Sequence, residues 1–283
     1  MRNKNAECRN YRKTKDLLLR ALTWLCTLIT FSVLLFLIGY ILINGIPYLK
    51  PSLFAPEYNT TNVSLLPALI TTIMTVLLSL LIAVPFGVFS AIYLTEYAQR
   101  GNRFVKLVRV TAETLSGIPS IVYGLFGSLF FVYWLGWGLS LLAGSCTLSI
   151  MILPLVMRTT EESLKSVPDS YREGAFGLGA GRLRTVFRIV LPAATPGILA
   201  GVILAIGRIV GETAALIYTA GTVAQIPENP LASGRTLAIH MYALSSEGLY
   251  TGQAYATAVV LLVVVIGINA LSAYAAKKIV KVS

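Results

Sequence analysis

Long uninterrupted apolar stretches dominate this chain and limit what it can fold into. Each is close to the ~20 residues that a helix needs to cross the hydrocarbon core of a bilayer. Six such stretches cover residues 21–43, 66–95, 116–134, 139–157, 195–219 and 255–276. A hydrophobic share of 56% and a charged share of 12% agree with this pattern. We therefore predict an all-α polytopic membrane protein, a bundle of six transmembrane helices.

The basic residues lie mainly on one side of these predicted spans. Nearly all of the 23 Lys and Arg residues precede the first span, follow the last, or fall in the loops after the second and the fourth. Lys50 and Arg235 lie on the opposite side, and Arg208 is inside the fifth span. By the positive-inside rule, both termini and the basic loops are cytoplasmic. This arrangement explains the net charge of +11 without a nucleic acid or an acidic substrate.

Cysteine and histidine are too sparse for a metal centre or a catalytic pair. Cys8, Cys26 and Cys146 form no C-x-x-C pair, and His240, the only histidine, has no acidic or cysteine partner at useful spacing. We therefore predict no metal site, no disulfide framework and no catalytic residue, and we interpret His240 as a packing residue. The motif G-x-x-x-x-G-K-S/T is absent, so we predict no cofactor in this chain, and any ATP and Mg²⁺ would bind another subunit.

Glycines in the fifth predicted span stand four residues apart, as Gly197 with Gly201 and Gly207 with Gly211. Such pairs let two helix backbones approach closely in a membrane. We expect both pairs to face an internal or a subunit interface.

The basic loop 158–190 contains the most specific pattern. Residues 161–170 are predicted to form a helical stretch with Leu164 and Val167 on one side, before a turn that leads to Glu173. A short helix with a small apolar face and an acidic residue fits a groove on a partner protein. Glycines that follow are predicted to supply a sharp turn. They are Gly174, Gly177, Gly179 and Gly181.

A longer pattern runs from this loop into the fifth span. The order E-x-A, three residues, G, nine residues, I-x-L-P is met in full by Glu173, Ala175, Gly179, Ile189, Leu191 and Pro192. It resembles the signature loop of permease subunits of bacterial ABC importers, although Gly174 stands where that family usually has Ala. The resemblance implies a MetI-like, type I importer fold with a cytoplasmic coupling helix that docks on an ATPase dimer. Glu173, Gly174, Ala175 and Gly179 are then the docking residues.

Two charged residues inside the fifth predicted span need an explanation. Arg208 and Glu212 are four apart, so a continuous helix would place them on one face. An arginine deep in a span must face protein or water, because its charge is costly in lipid. Its planar fork suits a phosphate-like oxyanion in a transport pathway, with Glu212 holding the fork or accepting a proton. Alternatively, the two residues form a structural ion pair that fixes the bundle and never contacts substrate.

Two segments narrow the resemblance further. Residues 207–215, which include Arg208, Glu212 and Thr213, are similar to the R-x-x-G-E-T-A segment of permeases from phosphate-specific ABC importers. Residues 116–126 are similar to their S-G-I-P-S-I-V-Y-G-L-F segment. The likeness covers about residues 65–275 and favours the A-type of the two permeases in such importers. It implies that Arg208, Glu212 and Thr213 line the pathway of inorganic phosphate.

The resemblance also implies partners. They are a second homologous permease that forms a heterodimer with this chain, a cytoplasmic ATPase dimer, and an extracytoplasmic phosphate-binding protein that docks on the outer loops, mainly 221–253. A permease for sulfate or molybdate is an alternative, because arginine also pairs with those oxyanions. A secondary transporter that works without an ATPase is a further alternative, although it leaves Glu173 and its loop unexplained.

These expectations divide the chain and place it in a bacterial cytoplasmic membrane as a multi-pass protein. The divisions are a cytoplasmic basic tail (1–20), the first transmembrane helix with an external loop (21–64), the transmembrane permease core (65–276) with its coupling loop (158–190), and a cytoplasmic C-terminal tail (277–283).

Overall fold

Helices make up nearly all of the chain, as the sequence predicts. The computed structural model describes residues 2–99 and 101–280, with side chains described over 16–99, 101–271 and at 274. No strand occurs in these described residues. In chain order, the helices are α1 (Arg2–Gly45), the single turns Ile46–Tyr48 and Pro51–Phe54, α2 (Leu66–Tyr97), α3 (Arg103–Ser116), α4 (Ser120–Trp134), α5 (Leu141–Ser166), α6 (Asp169–Gly177), α7 (Arg182–Val210), α8 (Ala214–Ile217), α9 (Leu237–Glu247) and α10 (Thr251–Val280).

Five of these helices, α1, α2, α5, α7 and α10, are long and apolar enough to cross a membrane. A sixth span exists only if α3 and α4, which are bent by 102°, are counted together. The predicted third span, 116–134, corresponds to α4, which begins at Ser120 after this bend. Pro119 precedes α4 and disfavours helical backbone at Ile118, so the chain changes direction there.

The predicted fifth span, 195–219, is wrong at both ends, because α7 runs from Arg182 to Val210. Its first turns are basic rather than apolar, but arginine is a good helix former, so the helix extends past the edge of the hydrocarbon. At the other end, Gly211 follows the last helical residue, and the backbone leaves helical geometry at Thr213, with φ −124° and ψ −53°. Hydropathy thus locates the apolar part of a helix better than the residues at which the helix begins and ends.

The centre of the bundle is the contact of α2 with α5. Ser79 on α2 donates a hydrogen bond to the carbonyl of Ser145, at 3.2 Å, and Ser149 donates to the carbonyl of Ser79, at 3.1 Å. All three serines are buried. These hydrogen bonds to backbone carbonyls satisfy the hydroxyls of Ser79 and Ser149 inside an apolar core and hold the two helices at one register.

Helix α7 packs against α5 through small residues. A β-carbon added at Gly197 would overlap Ser163, and one added at Gly201 would overlap Thr159. This first glycine pair is confirmed as an internal helix contact. Gly207 faces open space, so a subunit interface at the second pair remains a prediction.

Helix α1 lies at the edge of the bundle against α10. The rings of Tyr40 and Tyr255 meet edge to face with centroids 5.8 Å apart, and Gly45 abuts the backbone of Tyr255. Among the side chains of α1 that the structure describes, from Asp16 onward, most of the apolar ones are exposed, as expected for a helix surrounded by lipid.

Candidate functional site

The predicted docking loop contains its own short helix, α6. The expectation of a helical stretch over 161–170 is wrong in its bounds, because α5 continues to Ser166 and α6 begins at Asp169. Pro168 separates them: it forces Val167 into extended geometry, with φ −72° and ψ 123°. Glu173 therefore lies on α6 rather than in a turn, whereas Leu164 and Val167 are buried beneath it.

The four predicted docking residues lie in and just after α6. Glu173, Gly174 and Gly179 are exposed, whereas Ala175 is buried against the rest of the protein. Glu173 takes part in no salt bridge among the described residues, so its carboxylate is available to another molecule. A β-carbon at Gly174 would meet nothing within 4 Å, so alanine would also fit there. Gly179 has φ +81°, which accounts for glycine at the turn.

Arg172, which no sequence motif singles out, connects α6 to the membrane helices. Its Nη2 atom lies 2.7 Å from Oε1 of Glu96, which is buried in the last turn of α2. The same guanidinium donates to the carbonyl oxygens of Leu164 and Val167, both at 2.9 Å. It thereby caps the carboxyl end of α5 and pairs with α2 at the same time.

A second buried carboxylate, Glu161, joins α3 to α5. Its Oε1 atom lies 2.7 Å from Nη2 of Arg109 on α3 and 2.6 Å from Nζ of Lys165, one turn further along α5. Glu161 is buried, whereas both cations are partly exposed. With the Glu96–Arg172 pair, this contact makes α2, α3, α5 and α6 a connected unit on the basic side of the protein. A displacement of α6 would move these helices together.

Arg208 faces a cavity of about 470 Å³ between α3, α5 and α7. The register of α5 against α7 places Arg208 level with Met151, which lines the same cavity near the middle of α5. The cavity continues along α5 to Glu162 and Lys165 near its carboxyl end. Its other cations are Arg109, Arg158 and Lys165.

Those other cations are already paired in the structure. Arg158 binds Glu162 at 3.0 Å, and Arg109 and Lys165 share Glu161. Among the described residues, no salt bridge includes Arg208. The cavity therefore combines three basic groups that contact two carboxylates with one guanidinium that contacts no carboxylate of the residues that the structure describes. Sequence reasoning placed Arg109 and Arg158 among the charges that set topology, and nothing in their local spacing pointed to the cavity.

Glu212 and Thr213 do not join Arg208. The expectation that Arg208 and Glu212 share one helical face is wrong, because α7 ends at Val210 between them. Glu212 is buried and accepts a hydrogen bond from the backbone N–H of Ala215, at 3.1 Å, so it caps α8. Thr213 lines a different cavity of about 690 Å³, which is mostly apolar. The three predicted pathway residues are thus close in sequence but lie in different places. Arg208 faces the cavity between α3, α5 and α7, Glu212 caps α8, and Thr213 lines the mostly apolar cavity.

The chain matches the protein-family model described as "Binding-protein-dependent transport system inner membrane component" over residues 83–281. It is 34% identical over 258 residues to the probable ABC transporter permease protein YqgI of Bacillus subtilis, covering 84% of this chain and 86% of that protein. It is also 34% identical over 268 residues to the phosphate transport system permease protein PstA of Haemophilus influenzae, covering 92% and 93%.

Solved structures share the fold at lower identity. A chain of a bacterial alginate ABC transporter, crystallised with an alginate pentasaccharide-bound periplasmic protein, superposes with a TM-score of 0.67 at 18% identity, covering 94% of this chain and 96% of that chain. An inward-facing MetNI methionine ABC transporter gives 0.59 at 20% identity, covering 76% and 94%. The predicted resemblance to importer permeases is confirmed. The chain belongs to the family of binding-protein-dependent transport system inner membrane components and is a multi-pass, MetI-like ABC importer permease subunit, a transport component rather than an enzyme.

Proposed function

We propose that this chain is the membrane-spanning subunit through which an ATP-driven importer moves inorganic phosphate into a bacterial cell. The observation that carries this proposal is the unpaired guanidinium of Arg208 in a cavity at the level of the middle of α5. Arginine stays protonated in such surroundings, and its planar fork binds two oxygens of a phosphate ion at once. An unpaired charge at this depth would be costly unless a passing anion or water solvates it.

Relatives support phosphate as the cargo. Several proteins that are 34–36% identical to this chain are named phosphate transport system permease protein PstA, from Haemophilus influenzae and from mycobacteria. In this proposal Arg208 contacts the ion, Thr213 lines a second part of the route, and Glu212 shapes the break between α7 and α8. The route leads along the cavity toward the cytoplasmic end of α5.

The proposed partners follow from the exposed surfaces. A cytoplasmic ATPase dimer, which binds ATP and Mg²⁺, would contact α6 through Glu173 and the exposed residues Gly174 and Gly179. Ala175 would pack α6 against the rest of the permease. A second homologous permease would complete the pathway as a heterodimer. An extracytoplasmic phosphate-binding protein would dock on the outer loops, including the exposed parts of 221–253. Both termini would be cytoplasmic.

The connected unit of α2, α3, α5 and α6 gives this machine a mechanism. When the ATPase dimer closes, it would displace α6, and the Glu96–Arg172 pair would carry that movement to α2 and α5. Because Arg109 binds Glu161 on α5, α3 would move as well. Because α3 and α5 line the cavity of Arg208, its shape would change with the state of the ATPase.

Uptake into membrane vesicles tests the proposal directly. Vesicles that contain the full transporter should accumulate radioactive phosphate only with ATP, and unlabelled sulfate or molybdate should compete poorly at equal concentration. Efficient competition by sulfate or molybdate would assign the cargo to another oxyanion. Uptake that persists with a catalytically dead ATPase would instead indicate a secondary transporter.

A further inference from the structure

A group of buried polar atoms without hydrogen-bond partners in the described part of the chain lies in the connection between α7 and α10, on the side of the bundle away from α6. Most of the buried side-chain polar atoms that have no hydrogen-bond partner in the described residues belong to one short segment. They are Nε and Nη2 of Arg235, Oγ1 of Thr236, and both ring nitrogens of His240. Buried polar groups are nearly always paired in native proteins, so such a concentration indicates a ligand or ordered water.

The backbone around these residues is held firmly. The N–H of Arg235 donates to the carbonyl of Val223 at 2.9 Å, and the N–H of Leu237 donates to Oγ1 of Thr72 on α2 at 2.9 Å. A β-carbon at Gly234 would overlap Pro227. Arg235 is only 6% exposed and His240 is fully buried. The unpaired groups therefore occupy fixed positions and are not loose surface side chains.

Tyr58 from the first external loop covers this segment. The guanidinium carbon of Arg235 lies 4.5 Å from the centre of the Tyr58 ring, and that ring meets the His240 ring edge to face, with centroids 6.1 Å apart. The same loop ends at Val63, a buried β-branched residue with φ +46°. Backbone strain of this kind is commonly found at ligand sites and at segments that move.

The charge of Arg235 is unbalanced. No carboxylate lies within salt-bridge distance of it among the described residues, and the face of a tyrosine ring compensates a buried guanidinium only in part. We propose that Arg235, Thr236 and His240 form a binding site for a protonated inorganic oxyanion of the hydrogen phosphate type, covered by Tyr58 on the outer side of the protein.

The chemistry of the three side chains favours phosphate over sulfate. Burial, and secondarily the positive charge of Arg235, lowers the pKa of His240 to about 3, against a smaller opposing effect of a weak contact with the Val63 backbone that falls short of hydrogen-bond geometry. The neutral ring presents one N–H donor and one acceptor nitrogen, and Thr236 can also accept. Hydrogen phosphate has both O–H groups and anionic oxygens, so it can satisfy donors and acceptors together. Sulfate has acceptors only and would leave the imidazole acceptor unpaired.

The site lies outside the cavity of Arg208 and would bind the ion before it enters the pathway. Only the place of this site on the route of the transported ion rests on the proposed function. The unpaired guanidinium calls for an anion whichever oxyanion the transporter carries.

Equilibrium binding of radioactive inorganic phosphate to the assembled transporter in lipid nanodiscs, without nucleotide or receptor, tests the site. The variant Arg208→Gln removes the charge from the inner cavity and should keep saturable phosphate binding. Adding Arg235→Gln should weaken that binding by about tenfold or more, because a charge-assisted hydrogen bond is lost. Adding Lys50→Gln to Arg208→Gln instead removes the charge of an exposed basic residue on the same side of the protein, and it should leave phosphate binding unchanged. Sulfate should compete at least about tenfold more weakly than phosphate.

Two further variants separate binding from folding. Arg235→Lys keeps the positive charge and should retain part of the affinity for phosphate. If the transporter with Arg235→Gln does not assemble, a partial loss of phosphate affinity in Arg235→Lys still tests the role of Arg235. His240→Phe keeps the ring but removes both nitrogens, and it should lower the preference for phosphate over sulfate. Phosphate affinity that is the same in Arg235→Gln and Lys50→Gln would overturn the site and leave water around Arg235. Uptake specific for another oxyanion would refute the proposed function, while phosphate binding that still depends on Arg235 would support the site.

Discussion

Arg172 on α6 donates hydrogen bonds to both carboxylate oxygens of Glu96 on α2, across 76 residues of sequence. Glu96 is 8% exposed and the Arg172 side chain 15%, so the pair is largely shielded from water. It connects the helix proposed to contact the ATPase with a membrane-spanning helix. A largely buried pair with several hydrogen bonds transmits force more directly than flexible surface contacts, because neither partner can be displaced without leaving a charge unpaired.

Replacing Arg172 with Met should destabilise the protein and uncouple ATP hydrolysis from transport. The change leaves Glu96 buried without a partner, which costs toward the lower end of ~3–5 kcal/mol because the pair is not fully enclosed. The melting temperature in detergent should fall, and ATP-driven uptake should fall more than ATP hydrolysis does. Arg184→Met, at an exposed arginine on α7, is the control and should behave like the wild type. Combining Arg172→Met with Glu96→Gln should recover part of the lost stability, and strictly additive losses would contradict the pairing.

Reversing the charge of Glu173 should weaken binding of the ATPase. Its carboxylate is exposed on α6 and unpaired among the described residues, so Glu173→Lys should leave folding and membrane insertion intact. Co-purification of the ATPase at ordinary salt should drop severalfold. Glu247→Lys makes the same charge change at an exposed residue in the connection between α7 and α10, and it should co-purify normally. An unchanged yield of the complex with Glu173→Lys would refute the docking role.

Neutralising Arg208 should abolish phosphate uptake without disrupting the complex. Arg208→Gln keeps the hydrogen-bonding character of the side chain but removes the charge that faces the cavity. We expect uptake in vesicles to fall by at least about a hundredfold, since the ion loses its charged partner in the cavity. Arg188→Gln, at an exposed position near the start of the same helix, should transport normally. Retained uptake with Arg208→Gln would make Arg208 a structural residue.

The membrane-spanning character of the chain was predictable because hydropathy is a local property. The stretches 66–95 and 255–276 fall within α2 and α10, and the spacing of Gly197 and Gly201 correctly indicated a close helix contact. The motif around Glu173 indicated the loop that contains α6, since a motif is also a property of residues close in sequence.

Contacts between distant segments could not be predicted in this way. Arg172 and Arg109 looked like members of a basic loop, and only the fold brings them to buried carboxylates. Local spacing also misled at Arg208 and Glu212, because it assumes a continuous helix and Gly211 ends that helix between them. The group at Arg235 and His240 had no sequence signal either, since its contact with Tyr58 spans most of the chain.

Two glycine substitutions in α7 should have opposite effects on stability. Gly201→Ala places a β-carbon against Thr159, and overpacking of this kind costs ~1–3 kcal/mol. Gly207→Ala meets nothing within 4 Å and should gain ~0.5–1 kcal/mol from better helix propensity. Melting temperatures of the isolated chain in detergent should therefore move down for the first and up for the second. The same shift for both variants would contradict the contact of α7 with α5.

The stability of the protein should fall as the pH drops below about 6.5, because of His240. Burial and the neighbouring Arg235 lower its pKa from 6.5 to about 3, so between these values the unfolded chain binds a proton that the folded chain does not. By linkage, this contribution is fully present above pH 6.5 and decreases by ~1.4 kcal/mol per pH unit down to about pH 3. His240 is the single histidine in the sequence, so His240→Gln, which cannot titrate, should show a flatter dependence of melting temperature on pH between 6.5 and 5. Measurements in phosphate-free buffer keep the result independent of the proposed oxyanion site. If the melting temperatures of the wild type and His240→Gln change with pH in parallel, the pKa of His240 is not lowered in the folded state and this prediction is wrong.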